Sequence, residues 1–559
     1  MAGSRKSHPK SIQRLALRLA PSALITMACA MQSAQAFIID SGNPDISMRW
    51  DTQFRYNAGW RMEKPNSDFA NNPGYDAIEA FADRGDMVTN RVDLLTEFDL
   101  VFKDAYGFRV SAAAWRDFAY DTTAEGGAAA TAEYDGGRYN SYARRFHRGL
   151  SGEVLDAFVF ANFDYLTVPT RLKLGKHTLY WGEALYTTFH GISYSQGPLD
   201  GLKASTSPGI EAKEVFMPVN QFTGQMQLTP ELSFAFQYML DWKPTRVPAG
   251  GTYFSTDDML RADWLEPGLI AFGRDVEPDD KKGQFGLALR WSPHWLQGTV
   301  GAYYRRFNET IPWGALRFDP SSPLFPFVPA DVHFAYAEDT ELYGLSLTKA
   351  IAGVSVGAEL SYRKDAALNS DPAFIAVGDL RGVEGARGNT WHAVVNAMYM
   401  LPNTALWTGG NLTGELVYSR LDKVTKNKEL FLGEGYQACD AAGLNKSDGC
   451  ATKDFWHAQI SFAPEYPQVL PGVNLTLPMS IGYGISGNAA TVNGGNEGAY
   501  TWSVGATAMV RDRYEFSLKY NDAHTDYKRD RATGAISQNG TNAVQNDHGW
   551  LSFTFKTTF

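Results

Sequence analysis

Residues 550–559 read WLSFTFKTTF and alternate strictly between two sets of side chains. The odd positions are Leu551, Phe553, Phe555, Thr557 and Phe559, and the even positions are Trp550, Ser552, Thr554, Lys556 and Thr558. Because successive side chains of a β-strand point to opposite faces, this pattern predicts a strand with an apolar and a polar face. Soluble sandwiches contain such strands too. A terminal aromatic residue on the apolar face is more typical of the closing strand of a bacterial outer-membrane barrel, so Phe559 is the candidate membrane-insertion signal.

The same alternation recurs along the chain. Residues 46–60 place Trp50 and Phe54 on one side and charged residues on the other, and residues 90–102 repeat the arrangement. The wall of a membrane barrel requires these two faces, because one meets lipid and the other meets a polar lumen. The charged residues that we expect to face the lumen are Arg49, Asp51, Arg55, Arg91, Asp93 and Glu97.

Period-two alternation identifies eighteen strand segments. They lie near 46–60, 90–102, 106–119, 153–165, 168–176, 219–229, 232–242, 283–292, 297–308, 340–350, 353–364, 388–400, 409–420, 455–463, 473–485, 499–510, 513–522 and 547–559. A single-chain bacterial barrel has an even number of strands, and eighteen satisfies this condition. Sixteen is the alternative count, because each short segment is a weak signal by itself.

The connections between these segments alternate in length. Short turns such as 103–105 and 351–352 alternate with long polar segments such as 120–152 and 177–218. Outer-membrane barrels have short periplasmic turns and long extracellular loops. The sequence therefore predicts an all-β fold, a transmembrane antiparallel up-and-down barrel. The alternative is a soluble all-β sandwich, which does not account for the alternating loop lengths.

The first 36 residues have the features of a secretory signal peptide. Five basic residues precede or enter an apolar core at 15–31, and Ala-Gln-Ala at 34–36 fits a cleavage site. We therefore expect a signal peptide at 1–36, a barrel domain at 37–559 and a location in the outer membrane of a Gram-negative bacterium. Without the leader, 46 basic residues oppose 61 acidic ones, a formal charge of −15. This acidic balance argues against a nucleic-acid partner.

Two cysteines remain beyond the leader, Cys439 and Cys450, and both lie in one long loop. In an oxidising compartment such a pair is expected to form a disulfide. Free thiols or a metal site are the alternatives.

The width of the predicted barrel bears on function. Side chains fill a barrel of about eight strands, but at about 16–18 strands an aqueous lumen remains unless something blocks it. Residues 37–45 leave no room for a plug domain before the first strand, so a long loop must provide any constriction. The longest is 177–218. The other candidate is 243–282, in which 257–264 has the spacing of a short helix.

The loop 177–218 also contains a recognisable group of motifs. They are Leu174-Gly175-Lys176, Trp181-Gly182-Glu183, Pro198-Leu199-Asp200, residues 208–214 (PGIEAKE) and Pro218-Val219. With residues 37–40 (FIID) and Trp115-Arg116, this group resembles a family of proteobacterial outer-membrane proteins named domain of unknown function 1302, over nearly the whole of 37–559. The resemblance implies a barrel that transports organic compounds, including hydrophobic or xenobiotic ones. It also implies a soluble periplasmic partner and an inner-membrane exporter of the resistance-nodulation-division type.

Charges of alternating sign along this loop suggest that it lines or gates the lumen. The residues that we expect at the constriction or along the solute pathway are Lys176, Trp181, Glu183, Asp200, Glu211, Lys213 and Glu214. Alternating charges orient water and polar solutes across a narrow opening. In the alternative interpretation, the charges pair with wall residues such as Arg49, Arg91 or Asp93 and only pin the loop.

Other functions have weaker support in the sequence. His190 and Ser195 are close in the loop, but no third triad member accompanies them and Ser195 does not lie in a G-x-S-x-G motif. An outer-membrane lipid hydrolase is therefore a minor alternative, and we expect no enzyme. His177 and His190 lack a third ligand, so neither a metal nor a cofactor is expected. A channel would be in contact with outer-membrane lipid and small solutes. The alternative is a plugged barrel that acts as a scaffold, with residues 320–329 and the 439–450 loop as recognition surfaces.

Overall fold

The structure is a computed structural model that describes residues 37–69, 80–126, 131–256, 260–371, 375–378, 380, 382–530 and 532–559. The predicted signal peptide lies outside these residues. So do residues 257–259 of the predicted loop helix, and the described remainder of that segment forms turns and then enters a strand at Trp264.

Eighteen strands form one closed antiparallel barrel, as the sequence predicts. In chain order, β1 to β18 are Ile46–Arg61, Met87–Phe102, Tyr106–Asp117, Gly149–Tyr165, Val168–His177, Val219–Gln227, Leu232–Met239, Phe285–Trp291, Gly298–Phe307, Thr340–Ile351, Val354–Ala367, Arg387–Met400, Gly409–Lys426, Asp454–Leu470, Val473–Thr476 with Met479–Ser486, Tyr500–Val510, Tyr514–His524 and Trp550–Thr558. The fifteenth strand is interrupted at Pro478, which has no amide hydrogen to donate to a ladder. A short segment, Phe37–Ile39, pairs with the first half of β1.

Closure occurs between the first and last strands. β18 pairs with β17 on one side and with β1 on the other, where Tyr56 faces Phe555 and Trp60 faces Leu551. The barrel therefore has no free edge, and the backbone groups of each strand have partners in both neighbours. Closure of this kind is required where the surroundings offer no hydrogen bonds.

The two faces of the wall differ as the alternation predicts. On β1, Trp50 is 50% exposed on the outer surface, whereas Arg55 is 1% exposed inside the barrel. Apolar residues such as Leu345, Val395 and Ile481 are also exposed on the outside. Large apolar side chains thus cover the outer surface, and polar and charged residues fill the interior, the reverse of a soluble domain.

The short connections lie on one rim and the long ones on the other. Leu166 and Thr167, and likewise Arg511 and Asp512, have positive φ at both central positions of their turns, as tight hairpin turns require. One predicted turn is wrong: 464–472 shortens to two residues, because β14 continues to Leu470. The prolines at 464 and 467 indicated a turn, but they lie in extended strand.

The long loops pack into a layer above the barrel. Five short strands form a sheet there: Trp264–Glu266, Ile270–Phe272, Trp313–Phe318, Asp331–Ala335 and Ile375–Val377. In the same layer the sulfur atoms of Cys439 and Cys450 are bonded to each other. Helices are few and short in the described ranges, and none of them is long and apolar enough to cross a membrane.

Candidate functional site

Residues 178–218, which connect β5 to β6, fold into the interior of the barrel, and we call them the inward loop. Their contacts reach inward-facing side chains of distant strands, including Arg55 of β1, Glu359 of β11 and Glu415 of β13. A segment that contacts walls so far apart in strand order crosses the lumen. The sequence placed this loop first and 243–282 second among the candidates for a constriction.

Two wall carboxylates bind the backbone of the first half of the inward loop. Glu415 accepts hydrogen bonds from the amides of Leu185 (2.6 Å), Tyr186 (3.2 Å) and Thr187 (2.8 Å) and from the hydroxyl of Thr187. Glu359 accepts hydrogen bonds from the amides of three further loop residues, Glu183, Ala184 (2.8 Å) and Ile192 (2.7 Å). These amides belong to no helix or strand, so the carboxylates take the place of secondary-structure partners.

Two buried arginines bind the carbonyl groups of the same segment. Arg305 of β9 donates to the carbonyls of Ile192 (2.9 Å) and Tyr194 (2.7 Å). Arg363 of β11 donates to those of Phe189 (2.8 Å) and Gly191 (3.1 Å), and its guanidinium lies 3.9 Å from the centre of the Tyr194 ring. Wall anions thus hold loop amides while wall cations hold loop carbonyls.

A chain of neutral imidazoles joins the loop to the wall and to an outer loop. His190 Nε2 lies 2.7 Å from the carbonyl of Gly494, so this nitrogen carries the proton. His190 Nδ1 must then accept from His392 Nδ1 at 2.9 Å, and His392 Nε2 accepts from the Thr390 hydroxyl at 2.8 Å. Burial lowers the pKa of His190 to about 3, which keeps the ring neutral.

The residues that a hydrolase or a metal site would need together each bond to other groups. Ser195 Oγ accepts from the amide of Thr310 (3.3 Å), whereas His190 bonds to His392. His177 bonds to Thr223 at 2.8 Å. Within the part of the chain that the structure describes, no group of three His, Cys, Asp or Glu side chains is arranged to hold a metal ion.

The second half of the inward loop contains two short helices, α1 (Gly201–Thr206) and α2 (Ala212–Val215). Asp200 caps α1 by accepting from the amide of Lys203 at 2.9 Å, and it forms an ion pair with Arg246 of the next long loop. Lys203 in turn forms an ion pair with Glu153 of β4 at 2.8 Å. Asp200, which the sequence indicates, is thus a buried anchor.

Helix α2 is held against β1 and β2. Glu214 accepts two hydrogen bonds from Arg55 (2.8 and 3.2 Å), and Arg55 lies 3.7 Å from Asp93. Lys213 forms an ion pair with Glu97 and lies 3.0 Å from Glu211. The wall residues that pair with charges of α2 therefore include Arg55 and Glu97. Of the wall residues named in the pinning interpretation, Arg91 pairs with Asp93 (2.9 Å) and Arg49 with Asp51 (2.5 Å), both on the wall itself.

The charges around α2 stabilise each other's ionised forms. Burial alone would raise the pKa of Glu211, but hydrogen bonds from Gln53 and Lys213 and the charge of Lys213 lower it. Burial alone would lower the pKa of Lys213, but Glu97 and Glu211 raise it. Both groups are thus charged over a wider pH range than in water.

The remaining predicted residues are distributed along the loop and its approach. The amide of Trp181 donates to Gln196 (2.7 Å), and the ring lies 6.1 Å from that of Tyr303. Glu183 accepts from Ser346 at 3.3 Å and lies 3.8 Å from Arg290. Lys176 is on the same side of its strand as the exposed Leu174 and donates to the carbonyl of Val154, so it lies apart from the charges around α2.

The sequence did not indicate the wall residues that bind the loop backbone: Arg305, Glu359, Arg363 and Glu415. Glu359 and Arg363 are on the polar face of their predicted strand, which places them inside the barrel. A charged residue in the middle of an inward face was the available signal, but it does not identify the loop atoms opposite.

Fold and site together define a class of protein, an antiparallel barrel of eighteen strands with a long loop folded across its lumen. The family model described as "Protein of unknown function (DUF1302)" matches residues 17–559. The chain belongs to this family, which confirms the resemblance seen in its motifs.

Solved structures of outer-membrane proteins align with this chain at low identity and low TM-score. The outer membrane channel DcaP of Acinetobacter baumannii aligns with a TM-score of 0.35 and 12% identity, over 94% of this chain and 100% of that chain. OccAB4 of the same organism aligns with a TM-score of 0.40 and 10% identity, over 92% of this chain and 100% of that chain. A BenF-like porin from Pseudomonas fluorescens Pf-5 aligns with a TM-score of 0.39 and 10% identity, over 94% of this chain and 99% of that chain. A comparison with curated proteins finds no match.

Proposed function

We propose that this chain is an outer-membrane channel for small organic solutes and that the inward loop constricts its lumen. The location is supported by the apolar outer surface of the closed wall and by the predicted signal peptide at residues 1–36. In this proposal, the loop charges Glu183, Glu211 and Lys213 border the solute pathway, while Asp200 and Glu214 fix the loop in place.

The observation that carries the proposal is the space left beside the inward loop. A cavity of about 130 Å³ is lined by Glu211 and Lys213 of the loop and by wall residues that include Arg49. A second cavity of about 360 Å³ lies beside Glu183 and Leu185 on the opposite wall. A loop that spans the lumen and leaves a cavity beside each of two walls narrows a passage. Its contacts with the wall hold it at a fixed position.

A second candidate is a plugged barrel that serves a periplasmic protein and an inner-membrane exporter, the partners that the family resemblance implies. Burial favours it: every residue from His190 to Gly197 is buried. In this candidate the loop closes the lumen until a partner displaces it. The two candidates differ in whether the isolated barrel passes any solute.

Liposome swelling with neutral solutes of graded size distinguishes the two candidates. We compare the native chain with a variant in which Gly and Ser replace residues 184–197 at equal length. The matched control carries the same kind of replacement at 320–329, where Phe327 is exposed at the tip of an outer loop. Heat-dependent electrophoretic mobility verifies that each barrel is folded.

A constricted channel admits small solutes in the native form and larger ones after the inward-loop replacement, while the control matches the native form. If only the inward-loop variant admits solutes, the barrel is plugged. If neither form admits any solute, the channel proposal is wrong.

A further inference from the structure

Three neighbouring cavities follow the inner wall of β1 to β6 from the short-turn rim to the inward loop. The first, of about 530 Å³, is lined by Asn162 and Arg171 beside a short turn. The second, of about 300 Å³, shares Arg171 and extends to Arg49. The third shares Arg49 and reaches Lys213 of the loop. Arg171 lines the first and second cavities and Arg49 lines the second and third, so the three cavities are neighbours along the wall.

The middle cavity is rich in cations. Four cationic side chains and one carboxylate, Asp99, line it: Arg49, Arg109, Arg171 and Lys173 are the cations. Asp99 forms two hydrogen bonds with Arg109 (2.6 and 2.9 Å), and Arg49 pairs with Asp51. In the described part of the chain, neither Arg171 nor Lys173 forms an ion pair. These two cations retain their capacity to bind an anion.

Aromatic rings accompany these two cations. The Lys173 ammonium lies 4.9 Å from the centre of the Phe158 ring, and the Arg171 guanidinium lies 5.8 Å from that of Phe160. Both rings line the same cavity. Phenylalanine on the lumen side departs from the polar interior that a water-filled barrel normally has. The cation–π contacts also hold the cationic groups beside an apolar surface.

We propose that this surface binds aryl carboxylates, with the carboxylate at Arg171 and Lys173 and the ring against Phe158 and Phe160. A cation pair alone binds any small anion, and a pair of rings alone binds any apolar solute. Their combination in one cavity selects molecules that carry both features. The inference rests on the proposed channel function, for which it names the class of solute.

Equilibrium dialysis of the full chain in detergent tests the site with benzoate as the probe. Benzamide has nearly the same shape without the charge, benzylammonium has the opposite charge, and acetate has no ring. We expect saturable benzoate binding. Benzamide and benzylammonium should bind more weakly by about ten-fold or more, because both lose the charge-assisted contact of the carboxylate. Acetate should also bind more weakly, because it lacks the ring that contacts Phe158 and Phe160.

Variants assign the binding to the named residues. The double substitution Arg171→Gln with Lys173→Gln should weaken benzoate binding by about ten-fold or more. The matched control Lys349→Gln removes a cation from the cavity on the opposite wall and should leave the binding unchanged. Phe160→Leu should reduce benzoate binding and leave acetate binding unchanged.

The inference is overturned if benzamide binds as well as benzoate, or if the double variant retains native affinity. Should the double variant not fold, Lys173→Gln alone and the probe series on the native chain decide the question. Swelling with neutral solutes reports on the channel independently. Swelling without benzoate binding refutes only this site, and benzoate binding without swelling refutes only the channel.

Discussion

Glu415→Gln tests whether the wall holds the inward loop through its backbone. The carboxylate accepts from three consecutive loop amides, those of Leu185, Tyr186 and Thr187. Glutamine has one carbonyl oxygen, which can keep the bonds to Tyr186 and Thr187. Its amino group then faces the amide of Leu185, so two hydrogen-bond donors oppose each other. In the native chain, the carboxylate oxygen at this position lies 2.6 Å from the Leu185 amide nitrogen.

The expected cost has two parts. An unsatisfied buried amide costs about 1–3 kcal/mol, and the remaining hydrogen bonds lose their charge assistance, which roughly halves their strength. A total of about 3 kcal/mol changes the ratio of docked to undocked loop by about 100-fold. The barrel itself should be unaffected, because the pairing of the strands does not involve this side chain.

Single-channel recording in planar bilayers measures the outcome. Glu415→Gln should give a larger mean conductance or repeated openings to a larger state. Glu515→Gln is the matched control, since it removes a wall carboxylate whose partner is Lys556 at 3.0 Å on the neighbouring strand. Native conductance and native current noise in a folded Glu415→Gln barrel would refute the reasoning.

Three further predictions concern the loop and the outer layer. Ile192→Ala, which removes a fully buried side chain, should weaken loop docking by about 2–5 kcal/mol and raise conductance, whereas Leu185→Ala at a more exposed loop position should change it little. The pKa of Glu211 is lowered and that of Lys213 is raised, so their ion pair persists while ordinary glutamates titrate. The pair weakens when the pH falls through the lowered pKa of Glu211 or rises through the raised pKa of Lys213. The contribution of this pair to conductance should therefore be constant across the ordinary glutamate range, and Glu211→Gln should remove its change at lower pH. Burial raises the pKa of Glu183, so a change at higher pH belongs to that residue. Cys439→Ser with Cys450→Ser opens the disulfide of the outer loop and should destabilise that loop by about 3 kcal/mol, measured as faster proteolysis in the loop, with conductance unchanged.

The sequence by itself determined the fold, because lipid and lumen impose a period of two on each strand. Residues 550–559 and 46–60 express that period directly, and all eighteen predicted strands are confirmed. Strand ends differ from the prediction where the alternation is interrupted. β13 extends to Lys426, beyond the predicted end at 420, because its pairing with β12 continues through two register shifts that interrupt the alternation.

Only the tertiary structure decided what the inward loop contacts. Sequence identified the loop and several of its charges, but Glu415 lies 228 residues from Thr187 and Arg363 lies 172 residues from Gly191. Contacts between loop backbone atoms and wall side chains leave no periodic pattern, since the backbone is chemically alike at every position. Arg171 and Lys173 lie beside Phe158 and Phe160 because β4 and β5 form a hairpin, but only the tertiary structure adds Arg49, Asp99 and Arg109 to the same cavity.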